Sequence, residues 1–309
     1  MRSLALAQYL RDQGRHVHLV TTRPGAPGVD EWRKEGRVIA VPDPIGGDED
    51  ARGVLAIAGF LDVEWVVVDG DAFGSQFPRS LRAAGLKLML LDDGGGRLVA
   101  DAVVNPNLGA EQRCRYETLP GCTRLLGVRY ALLRRSLRLQ APAAEAARPP
   151  RLLITFGGDD RAERGRQAVQ RLAALPPEVA VTLVWSGPSE GLASVQASAP
   201  SHVRVLAATD LAPLMAEADL ALSAGGTTAL ELAFLGVPAV LLPIADNQRP
   251  GAAALAEADC ALVARDLASA VVTALELARD PRRLQSMSAR GRALVDGDGV
   301  TRVGALLLD

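Results

Sequence analysis

Short apolar runs alternate with amphipathic segments along the whole chain. Residues 17–20, 38–41 and 65–68 are apolar stretches of strand length, and segments such as 50–61 and 75–84 have the spacing of helices. Continuous Val and Leu runs separated by helices are typical of parallel strands that are buried on both faces. Since parallel strands are joined by right-handed crossovers, the pattern predicts a doubly wound α/β fold.

The composition changes at residues 140–150, where Ala and Pro dominate and no apolar period continues. Such a segment is typical of a linker between domains. The alternation of strands and helices then restarts, which predicts an N-terminal α/β domain at 1–139 and a C-terminal α/β domain at 151–309. Two doubly wound domains predict a ligand cleft between them that faces the carboxyl ends of both sheets.

Charge and composition exclude several classes of function. The 34 Lys and Arg residues nearly balance the 36 Asp and Glu residues, for a net charge of −2, which argues against a nucleic-acid partner. No apolar run approaches the roughly 20 residues that a membrane-spanning helix needs. Three scattered cysteines fit neither a disulfide framework nor a metal site. We therefore expect a cytoplasmic protein without a resident metal or cofactor; the oligomeric state is left open.

The strongest local feature is Ser-Ala-Gly-Gly-Thr-Thr at 223–228, between a predicted strand and a predicted helix. Paired glycines let the backbone turn sharply and approach a ligand. The unpaired N–H groups at the start of the helix then suit a phosphate or diphosphate. Ala224, Gly225, Gly226 and Thr227 are therefore candidate binding residues. A plain tight turn with threonine caps is an equally good interpretation of the residues alone.

Glu231 follows on the same predicted helix and has two interpretations. The spacing Thr228-Ala-Leu-Glu231 is that of a capping box, in which the glutamate bonds to the backbone N–H of Thr228. Alternatively, the carboxylate of Glu231 binds the two hydroxyls of a ribose. The residues alone favour the capping box.

A second glycine pair, Gly157 and Gly158, lies between the predicted strand at 151–156 and a predicted helix. We expect these glycines to face the ligand. The two aspartates at 159–160 are expected to cap the helix, because carboxylates would repel a phosphate.

Amides follow a third strand of this half, at Asn247 and Gln248. The carboxyl end of a parallel strand places them at the ligand side of the sheet, and amides can bond to sugar hydroxyls and to phosphate oxygens. A solvated loop is an equally good interpretation of this segment.

Three polar clusters end strands in the N-terminal half: residues 69–71, 92–96 and 105–107. We expect them to line one edge of the N-terminal sheet. Paired carboxylates such as these can act as general acid and base, although turn and capping roles are commoner for each cluster alone.

The C-terminal half resembles a known family, as do shorter stretches before it. The matching stretches are 153–160, 218–231, 235–239, 245–248 and 296–303, with 91–93, 104–107 and 126–134 in the first half. They resemble the nucleotide-sugar hydrolases of the pseudaminic acid pathway and the related spore-coat polysaccharide proteins. Both groups are similar to the GT-B glycosyltransferase that makes peptidoglycan lipid II.

The resemblance implies a GT-B fold in which the C-terminal domain binds UDP. The family's glycine loop and glutamate carry over onto Gly225, Gly226 and Glu231, which favours the ribose-binding interpretation of Glu231. The family's cleft asparagine carries over onto Asn247, near the sugar or the diphosphate. Family hydrolases break the bond between sugar C1 and the phosphate oxygen without a metal, and helix ends and amides stabilise the developing charge.

The chain departs from the family at two places. The family's catalytic histidine lies in a Gly-x-Gly-His-x-x-Arg loop after the first strand, and residues 1–7 match the sequence that follows that histidine. The family often has Asp-His-Tyr at the position of 69–71, of which only Asp69 is kept. The resemblance therefore leaves Asn247 and Asp69 as candidate catalytic residues. We expect a protein of residues 1–309 to be poorly soluble or inactive, because the family's central first strand is not in the sequence.

Three functions are consistent with this sequence. The first is a UDP-sugar hydrolase that releases UDP and a free diacetamido-trideoxy sugar for surface-polysaccharide biosynthesis. The second is a GT-B glycosyltransferase that passes the sugar of a UDP-sugar to an acceptor. The third is a nucleotide-sugar-binding protein without turnover.

Overall fold

The computed structural model describes residues 1–26, 28–42, 46–70, 73–74, 76–140, 149–156, 163–173, 179–185, 189–207 and 210–308. The chain divides into two compact units. The first unit consists of Met1–Arg135 and Gly297–Asp309, and the second unit consists of Ser136–Asp296. Most of the expected linker, residues 141–148, lies outside the described residues.

Strands and helices alternate in the first unit. Its strands are β1 (His18–Thr21), β2 (Arg37–Ala40), β3 (Trp65–Asp69), β4 (Lys87–Leu91), β5 (Gly96–Arg97), β6 (Ala102–Asn105), β7 (Tyr116–Glu117) and β8 (Thr123–Leu126). The helices up to its boundary are α1 (Arg2–Asp12), α2 (Val29–Glu35), α3 (Asp48–Leu61), α4 (Gln76–Ala83), α5 (Ala110–Arg113) and α6 (Arg135–Arg138), and a 3₁₀ turn lies at Val128–Tyr130.

The sheet of the first unit is divided. Strands pair in the order β3-β4-β6-β8, and β1 pairs only with β2 and β5 only with β7 in the described part of the chain. All of these pairs are parallel. The expectation of parallel strands is confirmed, but the continuous N-terminal sheet implied by the alternation is not found. All four residues of β6 are buried, whereas those of β1 are only half-buried.

The second unit has the same alternation. Its strands are β9 (Arg151–Thr155), β10 (Ala180–Val184), β11 (Val203–Leu206), β12 (Leu220–Ser223), β13 (Ala239–Leu241) and β14 (Ala261–Val263). Its helices are α7 (Glu163–Ala173), α8 (Ser189–Ser198), α9 (Ala212–Glu217), α10 (Thr227–Leu235), α11 (Arg249–Glu257), α12 (Leu267–Ala278) and α13 (Pro281–Leu294), with a 3₁₀ turn at Asp246–Gln248.

The strands of the second unit form one parallel sheet in the order β11-β10-β9-β12-β13-β14. From β9 the chain adds strands toward one edge, and from β12 it adds them toward the other. This is the 3-2-1-4-5-6 order of a doubly wound fold, and the direction reverses between β9 and β12. Ligands of such sheets bind outside the carboxyl ends of the strands at this switch point.

The last helix, α14 (Gly299–Ala305), corrects the expected domain boundary. The sequence-based division places residues 297–309 in the second domain, whereas the structure groups them with the first unit. The cause is packing: Gly304 lies against the ring of Tyr9 on α1, where a larger residue has no room. Val300 and Val303, both fully buried, join the same core cluster as Leu6.

Among the helices of the described residues, none is both long and apolar enough to cross a lipid bilayer.

Candidate functional site

The second unit places its glycine-rich segment at the switch point of the sheet. Ser223, the last residue of β12, lies in register with Thr155, the last residue of β9. Residues 224–226, here called the glycine loop, leave this strand end and lead directly into α10. The other predicted pair, Gly157 and Gly158, lies outside the described residues. The glycine loop is therefore at the position where doubly wound folds bind ligands.

The N-cap residue of α10 offers no side-chain cap. This residue is Gly226, which has no side chain, and the helix begins at Thr227. In contrast, Asp266 and Asp280 cap the N-termini of α12 and α13 with their carboxylates. The N-cap residue therefore leaves the first N–H groups of α10 to other partners, and the helix dipole favours an anion there.

The capping box expected at Thr228 does not form, because the helix begins one residue earlier, with Gly226 as its N-cap. Glu231 is one turn into α10 and is only 4% exposed. This start of α10 excludes Thr228 as its N-cap and leaves the ribose-binding interpretation of Glu231 open.

The two glycines of the loop differ in how much space surrounds them. A Cβ atom on Gly225 would lie 3.1 Å from Cβ of Ala252 and 3.2 Å from the backbone oxygen of Gln248, so a methyl group there would be crowded. Among the described residues, a Cβ atom on Gly226 would meet only Nε2 of Gln248, at 3.6 Å. Gly226 has φ −87° and ψ −153°, which any residue can adopt. The protein itself therefore does not require a glycine at 226, whereas a ligand in close contact with the backbone would.

Gln248 lies beside the glycine loop, as the contacts of Gly225 and Gly226 show. Its Oε1 accepts a hydrogen bond from the backbone N–H of Ile244 at 2.9 Å. That bond leaves the Nε2 amino group to face Gly226 as a donor. Asn247, the preceding residue of the 3₁₀ turn, has an exposed side chain. The structure thus brings Gln248 to the loop, and it assigns Asn247 no contact there.

In the first unit, Arg2 joins polar residues from two strand ends. Its guanidinium donates to Oδ1 of Asp69 at 2.8 Å, to Oδ1 of Asp93 at 2.7 Å and to the backbone oxygen of Leu91 at 3.0 Å. Burial disfavours the charge of Arg2, but the two carboxylates outweigh it and raise the pKa of Arg2. The candidate catalytic residue Asp69 is thus held in an ion pair, which fits a fixed hydrogen-bond acceptor better than a free general base.

Side-chain hydrogen bonds connect a second part of this edge, around the buried residues Asn105 and Tyr116. Asn107 donates to Asp93 at 2.9 Å, and Asn105 donates through Nδ2 to the hydroxyl of Tyr116 at 2.9 Å. Tyr116 in turn donates to Oδ2 of Asp92 at 2.7 Å. Burial, and then the bond to Asp92, raise the pKa of Tyr116, so it stays a neutral donor.

The structure therefore brings the polar clusters at 69, 92–93 and 105–107 to one edge, as the sequence predicts, while residue 71 lies outside the described part. Sequence reasoning missed Arg2 and Tyr116. Arg2 occupies the place of the final arginine in the family's Gly-x-Gly-His-x-x-Arg pattern, which was an available signal. Tyr116 lies on a two-residue strand and carries no local signal. Within the described residues, no group of three or more His, Cys, Asp or Glu side chains is placed to hold a metal ion.

Comparison with known proteins is consistent with this geometry. Residues 153–294 match the Glycosyltransferase family 28 C-terminal domain. The spore coat polysaccharide biosynthesis protein SpsG of Bacillus subtilis (strain 168) is 28% identical over 252 residues, which cover 72% of this chain and 69% of SpsG.

A second relative is the UDP-N-acetylglucosamine–N-acetylmuramyl-(pentapeptide) pyrophosphoryl-undecaprenol N-acetylglucosamine transferase of Thiobacillus denitrificans (strain ATCC 25259 / T1). It is 34% identical over 187 residues, which cover 53% of this chain and 48% of the transferase. The crystal structure of Acinetobacter baumannii MurG superposes with a TM-score of 0.68 over 100% of this chain and 95% of that one, at 18% identity. The predicted GT-B fold is confirmed, and the relatives support a GT-B glycosyltransferase-like protein.

Proposed function

We propose that the protein is a GT-B glycosyltransferase that uses a UDP-sugar donor. The observation that carries this proposal is the glycine loop at the switch point of the second unit, followed by a helix whose N-cap residue has no side chain. The family 28 match covers this same region, and one relative is by name a transferase of N-acetylglucosamine from its UDP derivative. This support favours transfer over the hydrolysis first expected from the sequence.

In this proposal the diphosphate of UDP binds at the N-terminus of α10. The N–H groups of Thr227 and Thr228 and the amino group of Gln248 donate to its oxygens, and Ala224 and Gly225 shape the loop. The same donors stabilise the negative charge that develops on UDP as the sugar leaves. Gly157 and Gly158 are proposed to complete the phosphate contacts. Glu231 binds the ribose, as the family resemblance implies.

The edge of the first unit is proposed to bind the sugar or its acceptor. Asp69 and Asp93 each use Oδ1 to bind Arg2, so their Oδ2 atoms are the proposed acceptors for sugar hydroxyls. Asn247 is proposed to donate to the sugar or to the diphosphate, because its exposed amide lies next to Gln248 in sequence and its counterpart in the family lies in the cleft.

The two loop glycines give a direct test of UDP binding. In Gly226→Ala the new methyl group fits the protein but occupies the ligand's space, so the Kd for UDP is expected to rise at least tenfold, or about 1.4 kcal/mol, with little change in Tm. In Gly225→Ala the methyl group is crowded by Ala252, and a loss of about 1–3 kcal/mol in stability is expected. Calorimetric titration with UDP and a thermal melt measure both effects.

Gly59→Ala is the matched control, since no described residue lies within 4 Å of a Cβ atom at this exposed helical position. It should leave the Kd for UDP unchanged. An unaltered Kd in Gly226→Ala would place UDP elsewhere and remove the main support for the proposal.

Turnover separates the three candidate functions. The protein is incubated with UDP-N-acetylglucosamine, with and without the undecaprenol-linked acceptor named for the relative transferase. UDP release that requires the acceptor supports transfer. UDP and free sugar in water alone support hydrolysis, and UDP binding without release from either mixture supports a binding protein.

A further inference from the structure

Ser223 is a buried serine whose hydroxyl has no hydrogen-bond partner in the described part of the chain. The residue is 1% exposed, and its Oγ atom is enclosed. Its backbone oxygen accepts a bond from the N–H of Leu242 at 2.8 Å, so the strand around it is regularly paired. The unpaired hydroxyl is therefore a property of the side chain and not of a distorted strand end.

An unpaired buried hydroxyl is costly. Water has been removed from it and no protein group replaces that water, so the ligand-free fold would be more stable with an apolar side chain of similar size. The neighbouring positions of β12, Leu222 and Ala221, are apolar and fully buried. Packing within the sheet therefore does not explain why position 223 carries a hydroxyl group.

The position of Ser223 at the switch point of the sheet offers an explanation, which is binding of a ligand. It is the strand residue from which the glycine loop departs, and it lies at the switch point beside the end of β9. The loop that follows it has no side chain at Gly225 or Gly226, and among the described residues only Nε2 of Gln248 lies near a Cβ atom built on Gly226. A helix of nine residues, whose N-cap residue has no side chain, begins directly after the loop. An unpaired donor, open space and helix N–H groups thus occur within five consecutive residues.

We propose that the Ser223 hydroxyl donates a hydrogen bond to a phosphate oxygen of a bound nucleoside diphosphate, and that only this ligand satisfies it. The proposal rests on the function proposed above and adds a binding residue to it. No proton is transferred, and no covalent bond is formed. In the ligand-free protein Ser223 lowers stability, and in the bound protein it contributes to affinity.

The test compares Ser223→Ala with the unmodified chain by UDP titration and thermal melting. Removal of a bond to a charged oxygen should raise the Kd for UDP about tenfold or more. The ligand-free Tm should stay the same or rise by up to about 4 °C, because an unsatisfied group has been removed. This combination of weaker binding with equal or greater stability is not expected for a residue that only supports the fold.

Two further variants complete the test. Ser223→Cys keeps a weak donor and should bind UDP with a Kd between those of the unmodified chain and Ser223→Ala; it replaces the alanine variant if that variant does not fold. Ser198→Ala is the control, because that hydroxyl already donates to the backbone oxygen of Val195 at 3.0 Å on another helix. It should leave the Kd unchanged.

The outcomes are distinguishable. A Kd for Ser223→Ala within twofold of the unmodified chain overturns the assignment of Ser223 while leaving the proposed function intact. Absence of UDP binding in the unmodified chain refutes the proposed site itself, and the assignment of Ser223 with it.

Discussion

Strands and helices alternate in both units, but the two units differ in whether their strands form one continuous sheet. In the second unit one sheet runs from β11 to β14 without interruption, and in the first unit the strands form separate groups. The burial of the strands follows this difference: β9 and β12 are almost completely buried, whereas β1 and most of β3 are half-buried. Burial of a strand therefore depends on its neighbours on both sides as well as on its own apolar residues.

In the first unit, side-chain hydrogen bonds connect the ends of neighbouring strands. Arg2 links the ends of β3 and β4, and Arg82 binds Asp101 through two bonds, at 3.0 and 2.7 Å. Asn105 and Tyr116 form a buried pair beneath the same edge. We infer that stability in the second unit depends mainly on apolar burial, and that polar contacts carry a larger share in the first.

The largest expected contrast is between two strand residues. Ile154 in β9 is fully buried, and Ile154→Ala should cost about 2–5 kcal/mol because it leaves a cavity. Val20 in β1 is half-buried, and Val20→Ala should cost about 1 kcal/mol. Urea unfolding followed by hydrogen exchange of peptides from each unit measures both losses. Equal losses would contradict the proposed difference between the sheets.

An intermediate effect is expected at the buried tyrosine of the first unit. Tyr116→Phe removes the bonds to Asn105 and Asp92 and leaves Nδ2 of the buried Asn105 with only its contact to Sγ of Cys114, at 3.5 Å, at a cost of about 1–3 kcal/mol. Tyr130→Phe is the control, since Tyr130 is half-buried and no hydrogen bond to its hydroxyl is found in the described residues. The same urea and exchange experiment applies. Equal losses of unfolding free energy in the two variants would contradict the large share of stability that we assign to polar contacts in this unit.

The smallest expected effect is on the pH dependence of stability, through Asp101. Burial raises the pKa of Asp101, but the bonds from Arg82 and from the backbone N–H of Leu88, with the charge of Arg82, outweigh burial, so the net pKa is below its usual 3.8. A lowered pKa means that the carboxylate adds stability above pH 3.8, which is lost as the pH falls through the folded-state value. Asp101→Asn should therefore lower stability at neutral pH and reduce its dependence on pH below about 4.

The measurement for this variant is urea unfolding of the first unit between neutral pH and pH 3. Asp266→Asn in the second unit serves as a comparison, because bonds from Ser269 lower the pKa of this exposed residue. If both variants keep the pH dependence of the unmodified chain, other groups govern acid unfolding.

Much of the second unit could be predicted from the sequence. The helices at 227–235 and 267–278 carry end signals that can be read from the sequence, such as Gly236 with φ 70° after the first and Asp266 as the cap of the second. The position of Gly225 and Gly226 at the ligand side follows from the topology of parallel sheets. The contact of Gln248 with this loop fits the same rule.

The sequence could not show which strand edges meet in the first unit. Strand β1 has the apolar pattern of a central strand, but its pairing depends on which neighbours are present, and local pattern does not contain that information. The bond from Arg2 to Asp69 spans 67 residues, and a single sequence gives no signal for such a pair. Glu231 shows a different limit: the residues alone favour a capping box at Thr228, but α10 begins at Thr227 after Gly226, so Thr228 is not the N-cap.

The packing of α14 on α1 has a consequence for synthesis on the ribosome. The second unit is one uninterrupted segment, so all of its residues have been synthesised before residue 297 is added. In the first unit, α1 lacks the helix that packs against it until residues 299–305 emerge. Domains usually fold from the N-terminus onward during translation. Here we expect the second unit to fold first, and α1 to reach its native packing only after α14 has been synthesised.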